Sequence, residues 1–397
     1  MIQYLSTSLP RHLLLHPRAL LGIYVFIAIA ASIQAVLVPL HFSTGICYTD
    51  YNNYIIFRQS FFHIISGQNL YLPYASEYWD LYKYSPAFAC FMGLFAHLPD
   101  AAGVMAWNVL NACVLYAAVR MLPFTVSVQN TLLLFLALEL LTNIQNEQSN
   151  GILAGLIIAA YACLERGKAL WATLWIVAAL FIKVYGGVGF CLLLFYPGKI
   201  RFLLYALLWT ILFAFIPLLV MPIDTLVWQY QNWVSMMLAD QSGSYGLSVM
   251  GWLHNWFGIT HGKNLVSIAG LLLFFIPFLR RSLYNTPSYK LSILAFMLVW
   301  MVIFNHKAES PTFIIAIAGI GTWNFSQPLV LWRSVLLALI FIFTCLSPTE
   351  LFPTFVKDHF FIPYSVKVIP CIIAWCIMFV QLMKMKAANI PSGSLND

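Results

Sequence analysis

The chain has 397 residues, of which 62% are hydrophobic and only 8% charged, with a formal net charge of +7. A mean hydropathy of +0.85 exceeds what a soluble core can use, so the composition excludes a water-soluble globular protein and points to a polytopic membrane protein. The basic residues sit in short connections rather than in one stripe, which excludes a nucleic-acid surface and makes them topology determinants.

At roughly 20 residues per spanning helix, the length accommodates about twelve spans and no separate soluble domain, so 1–397 reads as a single integral-membrane unit. Arg11 and Arg18 precede the first apolar run at 19–40. Its small-residue stretch Ala30-Ala31-Ser32-Ile33-Gln34-Ala35 mimics a cleavage site, but the run is too long for a secretion signal, and a retained signal-anchor helix is expected. Further apolar runs follow at 102–121, 126–142, 149–164, 169–183, 185–197, 202–220, 264–279, 289–304, 310–325, 330–347 and 364–383. Gly186-Gly187 interrupts what would otherwise be one run, so two short helices are expected to meet at 183–187.

With the N-terminus inside, Arg120, Arg166, Lys168, Lys199, Arg201, Arg280, Arg281, Lys290, Arg333, Lys384 and Lys386 join Arg11 and Arg18 on the cytoplasmic side. The positive-inside rule is then obeyed, with both termini cytoplasmic. Glu165 and Asp397 are the only acids on that side; the others collect on the opposite face. Segment 85–99 is apolar but short for a span, and is expected to lie on or dip into the outer face.

The outer face then consists of 41–101, 143–148, the 183–187 break, 221–263, 305–309 and 348–363. The first loop, 41–101, holds an amphipathic stretch with Asn52, Gln59, His63 and Ser66 as its polar stripe and Tyr54, Phe57, Phe61 and Ile65 opposite. Gly67 is its natural stop, and such a helix lies flat at the interface. The loop 221–263 is the second large outer connection. Cys47, Cys90, Cys113, Cys163, Cys191, Cys345, Cys371 and Cys376 form no CxxC pair and read as small packing residues.

Four connections carry candidate chemistry. Asp50, just past the first span, is either an N-cap for the following helix or a general base at the mouth of an intramembrane cavity. Both hold only if one carboxylate oxygen stays free. The run Asn143-Ile144-Gln145-Asn146-Glu147-Gln148-Ser149-Asn150 is polar at seven of eight positions, more than a turn needs, and suits a polyhydroxylated ligand. Capping by Ser149 or Asn150 is its rival explanation. Lys183 is a lone cation between apolar stretches and must face a cavity, a partner or the interface. His306-Lys307-Ala308-Glu309 is another polar island, after which Pro311 is placed to restart a helix. Lys183, His306 and Lys307, with Arg58 as a weaker addition, have the charge to hold a phosphate. There is no DxD, Walker, GxGxxG, HExxH or GxSxG motif. A phosphodiester donor with one negative charge needs only Lys, Arg or His, so no metal and no cofactor is expected.

The first loop then resembles a known family. Asp50 with Tyr51 and Tyr54, Gly67-Gln68-Asn69-Leu70-Tyr71, and Lys83-Tyr84-Ser85-Pro86-Ala87-Phe88-Ala89 look like the first outer loop of glycosyltransferase family 87. Glu147-Gln148-Ser149-Asn150-Gly151 is similar to that family's Gln-x-Asn element. Phe181-Ile182-Lys183-Val184-Tyr185 resembles its Lys-containing break, although Tyr185 and Gly186 stand where Pro is common. The resemblance covers 45–325. It implies an all-α polytopic membrane protein of the GT-C fold, with interfacial helices in the first outer loop, in a bacterial inner membrane with its active site on the periplasmic face. The implied activity is inverting transfer of a hexose, mannose first, from a polyprenyl-phosphate donor to a hydroxyl of a lipid-linked or envelope-glycan acceptor. The resemblance gives Asp50 the place of the base and makes His306 the candidate equivalent of a histidine that contacts donor phosphate; Lys183 and Lys307, with Arg58 as the weaker addition, are expected to bind that phosphate with it. Gln145, Glu147, Gln148, Asn150, Tyr51 and Tyr84 contact sugar or acceptor. Membrane lipids are its surroundings, and a monomer suffices. A secondary transporter or lipid flippase, or an envelope polysaccharide polymerase or ligase, is the alternative.

Overall fold

The computed structural model describes residues 16–43, 45–239 and 244–386. Arg11 and Asp397, which entered the expected charge distribution, lie outside the described residues. The helices are α1 Pro17–Leu37, α2 Asn52–Ile65, α3 Pro86–Ala96, α4 Asp100–Met121, α5 Val126–Gln145, α6 Asn150–Glu165, α7 Ala169–Ile182, α8 Lys199–Phe215 and α9 Ile223–Ala239. They continue with α10 Val249–Phe257, α11 Lys263–Phe275, α12 Pro287–Ile303, α13 Phe313–Phe325, α14 Leu331–Ile340, the single turn α15 Thr354–Val356 and α16 Ile369–Lys384.

Every expected apolar run carries a helix. Pro17–Leu37, Asp100–Met121, Val126–Gln145, Lys199–Leu219 and Val366–Lys384 are long and apolar enough to cross a membrane. Most of the other runs form apolar helices of 10–17 residues, so a multi-pass helical membrane protein stands while a count of twelve does not follow from helix length. Helix α3, expected to stay at one face, has 11 residues, about 16 Å of helix against a hydrocarbon core of about 30 Å.

Helices α6, α12 and α13 are buried along nearly their whole length and form the centre. By contrast α8 exposes Ile200, Leu203, Leu204, Leu207 and Ile211, as a lipid-facing helix does.

The connections sort into two sets. At one end Glu165 pairs with Lys290 at 2.5 Å, Arg166 donates to the Met121 carbonyl, and Arg280 donates to the Leu382 and Met383 carbonyls. All are segments expected on the basic side. At the other end α9 docks on the first loop. Gln229 donates to the Gln68 carbonyl (2.6 Å) and accepts from the Leu70 N–H (3.2 Å), and Asn69 donates to Asn232 (3.1 Å). The loop after α9 closes on 305–309 through Leu247 N–H to the Ala308 carbonyl (2.7 Å). There Gly246 has φ +56°, and a Cβ would lie 2.6 Å from the His306 carbonyl oxygen.

Two features of the first loop depart from expectation. A hairpin of β1 His41–Ser43 and β2 Ile46–Tyr48 precedes α2, pairing His41 with Tyr48 and Phe42 with Cys47. Helix α2 does stop before Gly67, which takes φ +69°, but it does not present a clean polar stripe. His63 is buried, 2.9 Å from Glu77 and against the Tyr74 ring, while Ile65 is exposed. The 68–82 segment folds over that face, and burial lowers the His63 pKa.

The break after α7 is a 3-10 helix, Val184–Phe195, folded back along α7. Gly186 permits the approach: a Cβ there would lie 2.5 Å from the Ala179 carbonyl oxygen. Gly186→Ala is therefore expected to destabilise the protein by about 1–3 kcal/mol, the cost of overpacking against backbone. A thermal melt in detergent no lower than wild type would contradict it.

Candidate active site

A cavity of about 700 Å³ opens between the first loop, the 143–150 connection, the α7 break, the end of α9 and the 305–312 segment. That volume falls in the usual range of small-molecule sites. Its walls carry Tyr48, Asn52, Asn53, Phe57, Trp79, Asp80, Lys83 and Tyr84 from the first loop, with Asn146 and Gln148 beside them. Lys183, Val184 and Tyr185 come from the break, Met236 and Met237 from α9, and Asn305, His306, Lys307, Glu309 and Thr312 from the far side.

Lys183 organises one wall. Helix α7 ends at Ile182, and Lys183 leaves it in extended backbone at φ −140°. Its Nζ donates to Asn150 Oδ1 at 2.7 Å and Gln148 Oε1 at 3.3 Å, and it lies 5.6 Å from the Tyr84 ring centre and 6.0 Å from that of Tyr185. Two amide oxygens and two ring faces thus receive a cation that would otherwise be costly between apolar helices. Burial pulls its pKa down to about 8; Glu309 opposes that and Lys83 adds to it. An anion arriving in the cavity would favour the protonated form.

Tyr84 forms the floor beside it. Its hydroxyl donates to Gln148 Oε1 and accepts from Ser149 Oγ, both at 3.3 Å, and its ring stacks on Phe88 at 4.6 Å. Burial raises its pKa, so it stays a neutral hydrogen-bonding group. Asn53 Nδ2 donates to the Asn146 carbonyl at 2.9 Å, tying α2 to the polar connection. Across the cavity Glu309 caps the Ser310–Thr312 turn in a capping box with Thr312. Its exposed carboxylate lies on the same wall as His306.

The sequence-assigned residues divide. Tyr84, Gln148, Lys183, His306 and Lys307 line the cavity, and Asn150 holds Lys183 from behind. Asp50 sits between the lining residues Tyr48 and Asn52 but is not itself in the wall. It does not cap α2, whose N-cap is Tyr51 with no side-chain bond. Asp50 Oδ1 instead meets His41 Nε2 at 3.0 Å, and its side chain is 35% exposed. Arg58 is turned away to Asp100 (3.3 Å) and the Ala96 carbonyl (3.0 Å), and Gln145 to Gln34. Glu147 is buried at φ +44°, its carbonyl accepting from Trp107 Nε1 at 2.7 Å and both carboxylate oxygens without a partner. Burial, with Asp50 adding to it, raises its pKa well above the carboxylate range. Neither Ser149 nor Asn150 caps α6 with its side chain.

Sequence reasoning missed Asp80, Glu309 and His41 as members or neighbours of the site. Asp80 lines the cavity at φ +82°, paired with Lys83 at 3.0 Å; a non-glycine residue in that backbone region at a cavity is a signal only coordinates supply.

A sequence model of glycosyltransferase family 87 matches residues 82–320, more than half of the chain. The chain belongs to glycosyltransferase family 87. No curated protein matches it significantly. As a family-87 membrane glycosyltransferase it is a transferase, and the matched stretch contains Tyr84, Gln148, Asn150, Lys183, His306 and Glu309. Asp50, Tyr51 and Arg58 precede it.

Proposed function

We propose that this family-87 glycosyltransferase moves a hexose, mannose first, from a polyprenyl-phosphate donor to a hydroxyl of a lipid-linked or envelope-glycan acceptor, with inversion. The acceptor oxygen bonds to the sugar's anomeric carbon as that carbon's bond to the phosphate oxygen breaks. Asp50 takes the hydroxyl proton. The lipid phosphate leaves with one more negative charge than the donor carried, and Lys183 with His306 and Lys307 compensates that charge. Gln148, Asn146 and Tyr84 meet sugar hydroxyls, and Val184, Met236 and Met237 start an apolar path for the prenyl chain. No metal is needed for a singly charged phosphodiester. On this reading the enzyme works in a bacterial inner membrane as a twelve-span GT-C monomer whose cavity faces the periplasm.

The observation that carries this reading is the cavity wall itself: a cation anchored by two amide oxygens among aromatic rings, beside apolar side chains from α9. Incubating purified protein with labelled polyprenyl-phosphate mannose and lipid acceptors tests it. New glycosidic product without nucleotide sugar is expected; passage of labelled lipid across a vesicle without bond formation would support a flippase instead.

A pH dependence follows from the Lys183 ammonium, held at about 8 by burial. Donor kcat/KM should be full while Lys183 is protonated and fall as pH rises through about 8. Lys183→Arg, which keeps its charge, should move that alkaline limb upward even if overall activity drops. An unmoved limb would assign it to another group.

A further inference from the structure

Helix α16 lies beyond the family match, yet a side chain in the turn that leads into it reaches the segment that lines the cavity. Lys367, in the turn Val366–Val368 before α16, meets Glu139 of α5 at 2.8 Å. Glu139 is 0% and Lys367 5% exposed. The same Nζ donates to Ser310 Oγ at 3.0 Å and lies 5.0 Å from the centre of the Phe313 ring. The Lys367 carbonyl accepts from Thr344 Oγ1 at 2.8 Å, which fixes the turn. Ser310 follows Glu309 directly and opens the turn whose cap, Glu309, and last residue, Thr312, line the cavity. Glu139 stands six residues, about 9 Å of helix, before the end of α5, where the 143–150 connection begins.

A buried ion pair is a poor source of net stability, because taking both charges out of water costs about what their attraction returns. Its better use is to select one arrangement. We infer that the Glu139–Lys367 pair is a positioning device: through Ser310 it fixes the 305–312 segment against α5, and so couples the turn before α16 to the shape of the active site. Lys367 and Glu139 are positioning residues, since neither lines the cavity. The inference rests on the proposed function only for its kinetic consequence.

Ser310→Ala separates this role from simple folding, because it cuts the link while leaving the ion pair in place. The thermal melt should match wild type, and amide exchange at 305–310 should rise about tenfold while α6 and α12 are unchanged. Donor kcat/KM should fall about tenfold to a hundredfold, as for a misplaced binding group. The double variant Glu139→Leu with Lys367→Met guards against Lys367→Met alone failing to fold around an uncompensated carboxylate. It should melt at or above wild type and still show the fast exchange and weakened donor use. Wild-type exchange and kinetics in Ser310→Ala, or in the double variant, would overturn the inference. If wild-type protein transfers no sugar, the functional reading falls while exchange still decides the positioning role.

Discussion

Replacing Asp50 by Asn is expected to lower sugar transfer by about 10²–10⁴-fold, the range a general base contributes, while the protein stays folded. Asn keeps the shape and can still accept from His41, the observed partner at 3.0 Å, but cannot take the acceptor's proton. The carboxylate is one-third exposed, in the short connection between β2 and α2, so little packing depends on its charge. An unchanged melt with lost turnover is the expected pair of results. Near-normal turnover would pass the base role to one of the carboxylates in the wall, Asp80 or Glu309.

Lys183→Met should cost about 10²–10³-fold, comparable to removing one preorganised group that meets developing charge. The loss should appear in both donor KM and kcat. The ground-state donor already carries one negative charge, and a second develops as the glycosidic bond breaks. The fold should tolerate the change, because Gln148 Oε1 keeps the Tyr84 hydroxyl and Asn150 Oδ1 keeps that of Tyr185 at 3.4 Å. Kinetics indistinguishable from wild type would remove Lys183 from phosphate binding.

Much of the architecture was legible because membrane helices announce themselves in apolar runs. The restart at Pro311 and the break at Gly186-Gly187 were also local in origin, set by fixed φ or close approach. The meeting of Gln148, Lys183 and His306 followed from assigning their connections to one face, since loops on one side of a short bundle have little room to avoid each other. What escaped was whatever a neighbouring segment decides. The periodicity of α2 described that helix alone and could not show that 68–82 covers His63. His41 and Asp50 meet because a hairpin with three-residue strands folds between them, too short for its alternation to register. Polarity suggested Glu147 as a sugar contact; its burial and left-handed backbone are set by the packing of α4 against the turn. Glu309 read as part of a polar island, and only the capped turn shows that its carboxylate lines the cavity.

Photo-crosslinking with a polyprenyl-phosphate analogue bearing a diazirine next to the phosphate tests most directly whether this cavity holds the donor. Peptides containing Lys83–Tyr84, Lys183–Tyr185 and His306–Glu309 should be labelled, and unlabelled polyprenyl-phosphate mannose should compete. Labelling confined to the exposed apolar faces of α8 and α11, and insensitive to that competitor, would mean the donor phosphate binds elsewhere.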